Sequence, residues 1–115
     1  MFVGSMQDVE PEELSIPGVQ GAKMRWIIGE NEGAEQFATR IVTLEKGGVI
    51  PLHSHSPVHE QFILKGKGVV LTEQGEREVG PGDFVFVGSN EKHGLRNTGD
   101  EDFELVCCIN LLKGE

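Results

Sequence analysis

Hydrophobic and polar positions alternate with a period of two along much of this chain. In FATRIVTLE (37–45) the odd positions form one set and the even positions another, and the segment is rich in β-branched residues. This pattern predicts a β-strand whose two faces meet different surroundings. The segment DFELVCCINLL (102–112) predicts a second such strand, with one apolar face formed by Phe103, Leu105, Cys107, Ile109 and Leu111.

Turn signals divide the rest of the chain into short segments with strand character. Turns are predicted at 46–48 (Lys-Gly-Gly), at 56–57 (Ser-Pro) and at 81–83 (Pro-Gly-Asp), with a loop at 88–91. The predicted strands are KMRWIIG (23–29), VIPLHSH (49–55), EQFILKG (60–66), a hairpin in GVVLTEQGEREV (68–79) closed around 73–76, and FVFV (84–87). Because no stretch shows a sustained 3.6-residue apolar period, the pattern favours an all-β sandwich or barrel.

The first part of the chain differs from the rest. Residues 7–21 are acidic and contain Pro11, Pro17 and Gly18, which predicts an irregular arm. The sequence shows no internal repeat, linker or low-complexity tract. We therefore expect a single domain, with an N-terminal arm over residues 1–22 and a β-barrel over residues 23–115.

The charge balance limits the classes of partner. Ten basic and 19 acidic residues give a net charge of −9, which repels phosphate backbones and anionic lipids, so we expect neither nucleic-acid nor membrane partners. No apolar run approaches the roughly 20 residues that span a bilayer, and no signal-peptide pattern is present, which predicts a cytoplasmic protein. The adjacent Cys107 and Cys108 point to opposite faces of a strand, so a disulfide between them is not expected.

Three of the four histidines fall within seven positions of the stretch PLHSHSPVHEQ. His53 and His55 are two residues apart on a predicted strand, so both side chains leave the same face and can reach one ion. The turn that follows brings either His59 or Glu60 opposite them, and His93 can join them only through tertiary folding. Imidazole suits Zn, Cu, Fe, Ni and Mn. A metal site and a polar, solvated loop both remain open from clustering alone.

The spacing of these histidines resembles the two sequence motifs of the cupin family, whose members are small β-barrels. The first motif joins a glycine to a His-x-His pair, and here five residues separate Gly47 from His53. The second motif is opened here by Gly82 and closed by Asn97, with His93 at the family's spacing between them. The resemblance implies an all-β cupin fold, a double-stranded β-helix or jelly-roll barrel.

Two positions of the second motif depart from the family pattern. Gly88 stands where the family has proline, and Asn90 stands where it has glycine. Both residues are common in turns, so we expect the loop to keep its shape.

The first motif also decides between the two candidates for the third ligand. The family places six residues between this ligand and a closing glycine, and six residues separate His59 from Gly66, whereas Glu60 leaves five. The resemblance therefore implies an all-histidine metal site, with Glu60 facing outward or supporting the ligands. Its ligands are His53, His55, His59 and His93.

This ligand set is similar to that of a subset of small, manganese-binding cupins. It implies a divalent transition metal, Mn²⁺ first and Fe²⁺ next, with Zn²⁺, Ni²⁺ or Cu²⁺ as other occupants. Four neutral ligands leave the full +2 charge on the ion, and on an octahedral ion they leave two cis positions open. Both features favour a small anionic ligand. The implied function is a dioxygenase-like oxidoreductase acting on a small molecule inside the barrel. A non-catalytic small-molecule or metal-binding module and a Lewis-acid isomerase or lyase are the alternatives.

Four further residues are candidates for the substrate pocket: Gln61, Arg40, Phe103 and Cys107. Each has an alternative, because a strand arginine is commonly solvated, a buried cysteine is commonly inert, and Phe103 can simply line the barrel. Small cupins commonly pair by sharing N-terminal strands, so the resemblance implies a homodimer through KMRWII. Alternatively, this segment closes the chain's own barrel.

Overall fold

The computed structural model describes residues 1–111, which form nine β-strands and two short 3-10 helices. The helices span Met6–Asp8 and Glu30–Glu32. The strands are β1 (Glu12–Glu13), β2 (Gln20–Ile28), β3 (Phe37–His53), β4 (His59–Lys65), β5 (Gly68–Thr72), β6 (Gly75–Val79), β7 (Phe84–Val87), β8 (His93–Asn97) and β9 (Phe103–Asn110). No helix in this part of the chain is long and apolar enough to cross a membrane.

The strands form one antiparallel sheet that curls into a nearly closed barrel, which confirms the predicted all-β jelly-roll fold class. Along the sheet the strand order is β6-β5-β8-β3-β9-β4-β7, and β2 also pairs with β3 while β1 pairs with β2. Neighbours in this order come from distant parts of the sequence. The sheet therefore places residues that are far apart along the chain on adjacent strands.

The predicted turn at 46–48 is wrong, because the chain continues through it as one long strand. The first part of β3 pairs with β9, from Phe37 opposite Asn110 to Leu44 opposite Phe103. The second part pairs with β8, up to His53. Between the two parts the pairing of β3 with β2 shifts register between Leu44 and Val49, and Gly47 in this stretch has a φ of +79°, which suits glycine. The chain thus changes from β9 to β8 as partner without reversing direction.

The barrel interior is filled by side chains that alternate along the strands. The prediction for the last strand is confirmed at Phe103, Leu105 and Cys107, all of which are buried. The buried cluster consists of Ala22, Val42, Leu44, Ile50, Ile63, Val70, Leu95, Phe103, Leu105 and Cys107. Each large side chain in it stabilises the fold by roughly 1.5–3 kcal/mol through removal from water.

Strand β8 has no counterpart in the predicted strands. Its five residues, HGLRN, show no regular alternation of apolar and polar side chains. β8 lies between β3 and β5, and four of its five residues are buried, so neither face is marked by polar residues alone. Asn97 ends the strand, and its amide nitrogen lies within 3.1 Å of the carbonyl oxygens of Leu44, Glu45 and Glu101. The Asn97 side chain therefore links the backbone of β3 at Leu44 and Glu45 to the backbone at Glu101, just before β9.

The loop before β8 keeps its turn despite the departures from the cupin pattern. Asn90 adopts a φ of 61°, the left-handed conformation that a glycine would adopt without strain and that asparagine tolerates best among other residues. Its backbone N–H donates to the carbonyl oxygen of His55 at 2.8 Å. This bond ties the loop to the histidine-rich segment.

Candidate metal centre

The fold gathers all four histidines around one cavity. His53 ends β3, His59 begins β4 and His93 begins β8, while His55 lies in the loop between β3 and β4. His53 and His93 stand opposite each other in the β3–β8 ladder. The centroids of neighbouring imidazole rings are 4.1–5.6 Å apart. The long-range pairing of β3 with β8 is therefore what adds the fourth histidine to the local cluster.

Three of the rings are oriented by backbone hydrogen bonds of the same kind. The Nδ1–H groups of His53, His55 and His93 donate to carbonyl oxygens 2.8–2.9 Å away, each two residues distant. A carbonyl oxygen only accepts, so the ring proton is on Nδ1 and the Nε2 lone pair remains available. The accepting carbonyls belong to Pro51, Pro57 and Glu91.

These three histidines fit a metal ion. Their ligand atoms all lie within 4.8 Å of one another. Within residues 1–111, Nε2 of His55 and Nε2 of His93 are buried without a hydrogen-bond partner. Leaving a buried acceptor unpaired costs about 1–3 kcal/mol, which a bound ion would offset. Nitrogens that share one ion are roughly 3–4.4 Å apart at bond lengths of about 2.0–2.2 Å, so only small shifts are required.

His59 also faces the cavity, whereas the neighbouring Glu60 faces solvent. His59 is only 8% exposed. Its Nε2 accepts a hydrogen bond from the Arg40 guanidinium at 3.0 Å, and its Nδ1 lies 3.4 Å from the Gln61 amide and 3.4 Å from the Cys107 sulfur. Within residues 1–111, both ring nitrogens of His59 therefore have protein partners, whereas only Nδ1 is hydrogen-bonded in the other three histidines. Its role as fourth ligand stays a prediction.

Burial keeps the imidazoles of His55, His59 and His93 neutral. It lowers the pKa of His59 to about 2, and the positive charge of Arg40 acts in the same direction. Burial also lowers the pKa of His93 to about 4 and lowers the pKa of His55, although a hydrogen bond to a backbone carbonyl opposes the shift in both. Neutral imidazole is the form that binds a metal, so the site is ready for one at neutral pH.

A cavity of about 80 Å³ adjoins the histidines. At about 30 Å³ per water molecule, it holds two or three waters or a small organic molecule. Arg40, Gln61 and Cys107, three of the four predicted pocket residues, line this cavity. Burial raises the pKa of the Cys107 thiol, although the nearby Arg40 opposes the shift, so this sulfur is a protonated thiol at neutral pH.

Phe103, the fourth predicted pocket residue, is not among the residues that line this cavity. It is fully buried in the core and packs over Gly68. Phe103 and Cys107 share a face of β9, but four residues separate them by roughly 13 Å along a strand. Strand alternation predicts which face of the strand a side chain lies on. It does not predict how far along the strand the cavity lies.

The N-terminal arm supplies cavity residues that sequence reasoning missed. Leu14 and Ile16 line the cavity together with Met24 of β2. Both arm residues also pack against the buried cluster of the barrel. Two apolar residues at a spacing of two, within an otherwise acidic segment, are the signal that could have identified them.

Comparison with known sequences identifies a family and a relative. The sequence model of the family described as Cupin domain matches residues 40–109, more than half of the chain. The oxalate-binding protein of Thermotoga maritima is 36% identical over 70 residues, which cover 60% of this chain and 58% of that protein. The chain spans between 39% and 58% of the length of the curated relatives that it matches.

Two solved structures share the fold over nearly the whole chain. The polyketide cyclase RemF from Streptomyces resistomycificus superposes with a TM-score of 0.91 at 26% identity, covering 100% of this chain and 82% of RemF. A predicted oxalate decarboxylase from Thermotoga maritima superposes with a TM-score of 0.84 at 28% identity, covering 96% of this chain and 100% of that one. The barrel is thus shared with proteins whose chemistry differs.

Proposed function

This chain belongs to the cupin domain family, and from that membership we propose that it is a metal-dependent, dioxygenase-like oxidoreductase that acts on a small molecule in the cavity. The observation that carries the proposal is the group formed by His53, His55 and His93, whose ligand nitrogens converge beside the cavity. Two of these nitrogens are buried without a partner in the described chain. A purely structural polar cluster would have satisfied them.

The proposed ligands are all four histidines of the cluster: His53, His55, His59 and His93. Mn²⁺ is the first choice of metal and Fe²⁺ the second, while Zn²⁺, Ni²⁺ or Cu²⁺ can occupy an imidazole site of this kind. When bound, the metal supplies a redox-active Lewis acid with positions open to a small molecule. The backbone hydrogen bonds to Nδ1 hold the rings of His53, His55 and His93 in their metal-facing orientation.

We propose that the small molecule is an organic acid. Arg40 places a permanent positive charge in the cavity, and Gln61 adds an amide donor, so the cavity is suited to a carboxylate. The remaining walls are largely apolar side chains, which keep bulk water from the site. The name of the Thermotoga maritima relative, an oxalate-binding protein, supports the same class of ligand.

Lewis-acid chemistry without oxygen is the second candidate function. It is favoured by the structural similarity to the polyketide cyclase RemF, which extends over the entire chain. A cyclase, isomerase or lyase would use the same histidines and cavity. A non-catalytic binding module would use them without turnover, and the oxalate-binding relative supports that alternative.

Oxygen consumption distinguishes these functions. We expect protein loaded with Mn²⁺ or Fe²⁺ to consume oxygen when supplied with one of a panel of small acids and catechols, and to stop when oxygen is removed. A His93→Ala variant should lose the activity. Turnover that continues without oxygen would favour the Lewis-acid candidate instead, and binding of a panel member without turnover would favour the non-catalytic module.

Metal content tests the choice of His59 over Glu60. We expect His59→Ala to lose much of its metal, because a ligand facing the cavity is removed, and Glu60→Ala to retain metal, because Glu60 faces solvent. Metal analysis after desalting measures both variants. Retention by His59→Ala together with loss by Glu60→Ala would contradict the ligand assignment.

We also propose a homodimer. Strand β2, which contains KMRWII, pairs with β3 of its own chain, so the barrel does not require a shared strand. A second copy would instead cover the aromatic surface formed by Phe62, Phe84 and Phe86, which are 48%, 81% and 64% exposed on the adjacent strands β4 and β7. They expose roughly 400 Å², about half of one partner's share of a standard interface.

Sedimentation measurements on two variants test the dimer and its surface. Phe84→Glu should yield a monomer, whereas Trp26→Ala on β2 should remain a dimer. The opposite result would assign the interface to β2, and a monomeric wild type would exclude the dimer. The cytoplasmic location and the division into an arm (1–22) and a barrel (23–115) stay predictions.

A further inference from the structure

The guanidinium of Arg40 lies inside the cavity among uncharged groups. Arg40 stands on β3 beside Trp26 of β2 and Cys107 of β9. One of its terminal nitrogens is 3.3 Å from the Met24 sulfur, and the other is 3.1 Å from the Cys107 sulfur and 3.0 Å from His59 Nε2. The Trp26 ring lies 5.4 Å from the guanidinium carbon, at the distance of a cation–π contact.

Within residues 1–111, no carboxylate forms an ion pair with this positive charge. The ion pairs within residues 1–111 involve Lys23, Lys46 and Arg96, and none includes Arg40. In the same part of the chain, the Nε–H of Arg40 is buried without an acceptor. An arginine is always charged, and its planar set of donors matches a carboxylate. The chain has 19 acidic residues, yet none of the ion pairs described above uses one of them to neutralise Arg40. The guanidinium can therefore bind an anion that comes from solution.

In the present arrangement, the contact with Arg40 prevents His59 from binding a metal through Nε2. A guanidinium only donates, so His59 Nε2 must be the acceptor. The same lone pair would bind a metal, and an imidazole nitrogen has only one. A metal and Arg40 therefore compete for His59 Nε2. Within residues 1–111, the Arg40 guanidinium contacts an imidazole nitrogen of His59 alone, and Nε2 of His55 and Nε2 of His93 have no protein partner, so competition of this kind is specific to His59.

We propose that Arg40 is a displaceable cap on His59: metal binding moves its guanidinium off Nε2, and the guanidinium then binds the carboxylate of a small organic acid within the cavity. The inference rests on the proposed metal site and adds an order of events to it. The metal completes its ligand set only by releasing Arg40, and Arg40 gains its full set of donors for an anion only once the metal is bound. The like charges of ion and guanidinium favour this separation.

The first experiment measures the affinity for Mn²⁺ alone by calorimetry. Arg40→Met removes the cap but keeps an unbranched side chain, and it should bind Mn²⁺ roughly ten- to hundredfold more tightly than wild type, the factor of one charged hydrogen bond. Arg25→Met is the matched control, since it removes the same charge from a residue that does not line the cavity and bonds to a backbone carbonyl. Its affinity should be unchanged.

A double-variant cycle separates the cap from simple charge repulsion. If Arg40 acts through His59, the gain from Arg40→Met should vanish in a His59→Ala background. A gain of equal size in that background would overturn the cap, because general repulsion does not require His59. Unchanged or weaker Mn²⁺ binding by Arg40→Met alone would overturn it as well. Should Arg40→Met fail to fold, Arg40→Leu gives the same test, because its side chain is also uncharged and has no hydrogen-bond donor.

The second experiment measures the anion. Glycolate should bind the Mn²⁺-loaded wild type more tightly than the metal-free protein, and Arg40→Met should lose roughly ten- to hundredfold of the metal-loaded affinity. Glycolamide, an uncharged analogue of similar size, should bind weakly to both. Equal glycolate binding by wild type and Arg40→Met would overturn the anion role. A wild type and an Arg25→Met control that both bind no Mn²⁺ would refute the metal site itself, an outcome distinct from failure of the cap.

Discussion

Acidification from pH 7 to pH 5 should destabilise the metal-free protein because two of its buried histidines resist protonation. The pKa of His59 is lowered to about 2, chiefly by burial and then by Arg40, and the pKa of His93 is lowered to about 4, chiefly by burial. In the unfolded chain both take the ordinary value of about 6.5. The unfolded state therefore binds protons as the pH falls through 6.5, while the folded state does not.

The size of the effect follows from the gap between pH and the unfolded value. Each pH unit below about 6.5 costs about 1.36 kcal/mol per group until the folded pKa is reached. At pH 5, His59 and His93 each remove about 2 kcal/mol, or about 4 kcal/mol together. The pKa of His55 is also lowered, which adds to the loss in the same direction. A total stability of about 5–15 kcal/mol makes this a large fraction.

Urea unfolding at pH 7, 6 and 5, with a chelator present and ionic strength held constant, measures the loss. Carboxylates also titrate in this range, so the decisive quantity is the difference between wild type and His59→Gln, which lacks one of the resistant groups. The variant should lose about 2 kcal/mol less than wild type between pH 7 and pH 5. An identical pH dependence would refute the view that His59 is buried and neutral. Saturating Mn²⁺ should make the wild type steeper still, because acid also releases the metal.

Five substitutions test the supports of the site. Gly66→Ala should cost about 2–5 kcal/mol, since φ is +83° and a Cβ would lie 2.3 Å from a carbonyl oxygen, whereas Gly82→Ala, at φ +92° with open space, should cost about 1–2 kcal/mol; equal losses in thermal unfolding would contradict this. Asn97→Ala should cost about 2–4 kcal/mol because it strands buried carbonyls, and a loss below about 1 kcal/mol by urea unfolding would refute that role. Ile63→Ala should cost about 2–5 kcal/mol and the exposed Leu64→Ala less than about 1 kcal/mol, and the reverse order would invert the assigned faces of β4.

Features that depend on neighbours in sequence could be predicted without the structure. The spacing of the cupin motif back from Gly66 implied that His59 faces inward and Glu60 outward, and strand alternation agrees because His59 and Ile63 share a face. The turn at Asn90 followed from the side-chain chemistry of one residue. The spacing of the histidines was enough to indicate a cupin barrel.

Features that depend on strand pairing could not be predicted in this way. The continuity of β3 past Gly47 depends on β8 taking over from β9 as its partner, and β8 itself has too little alternation to be recognised. Phe103 lies on the predicted face, but its level in the barrel places it in the core rather than at the cavity.

By itself, the sequence determined the all-β class, the histidine cluster and the family resemblance, because alternation, turn chemistry and motif spacing are all written along the chain. The tertiary structure alone decided that Arg40 meets His59 and Cys107 inside the cavity. Two strands had to pair on either side of β9 for that contact to form, with β3 on one side and β4 on the other. Arg40 and His59 are 19 positions apart in the sequence, yet their nitrogens lie 3.0 Å apart in the folded chain. No periodicity in the sequence encodes such a contact.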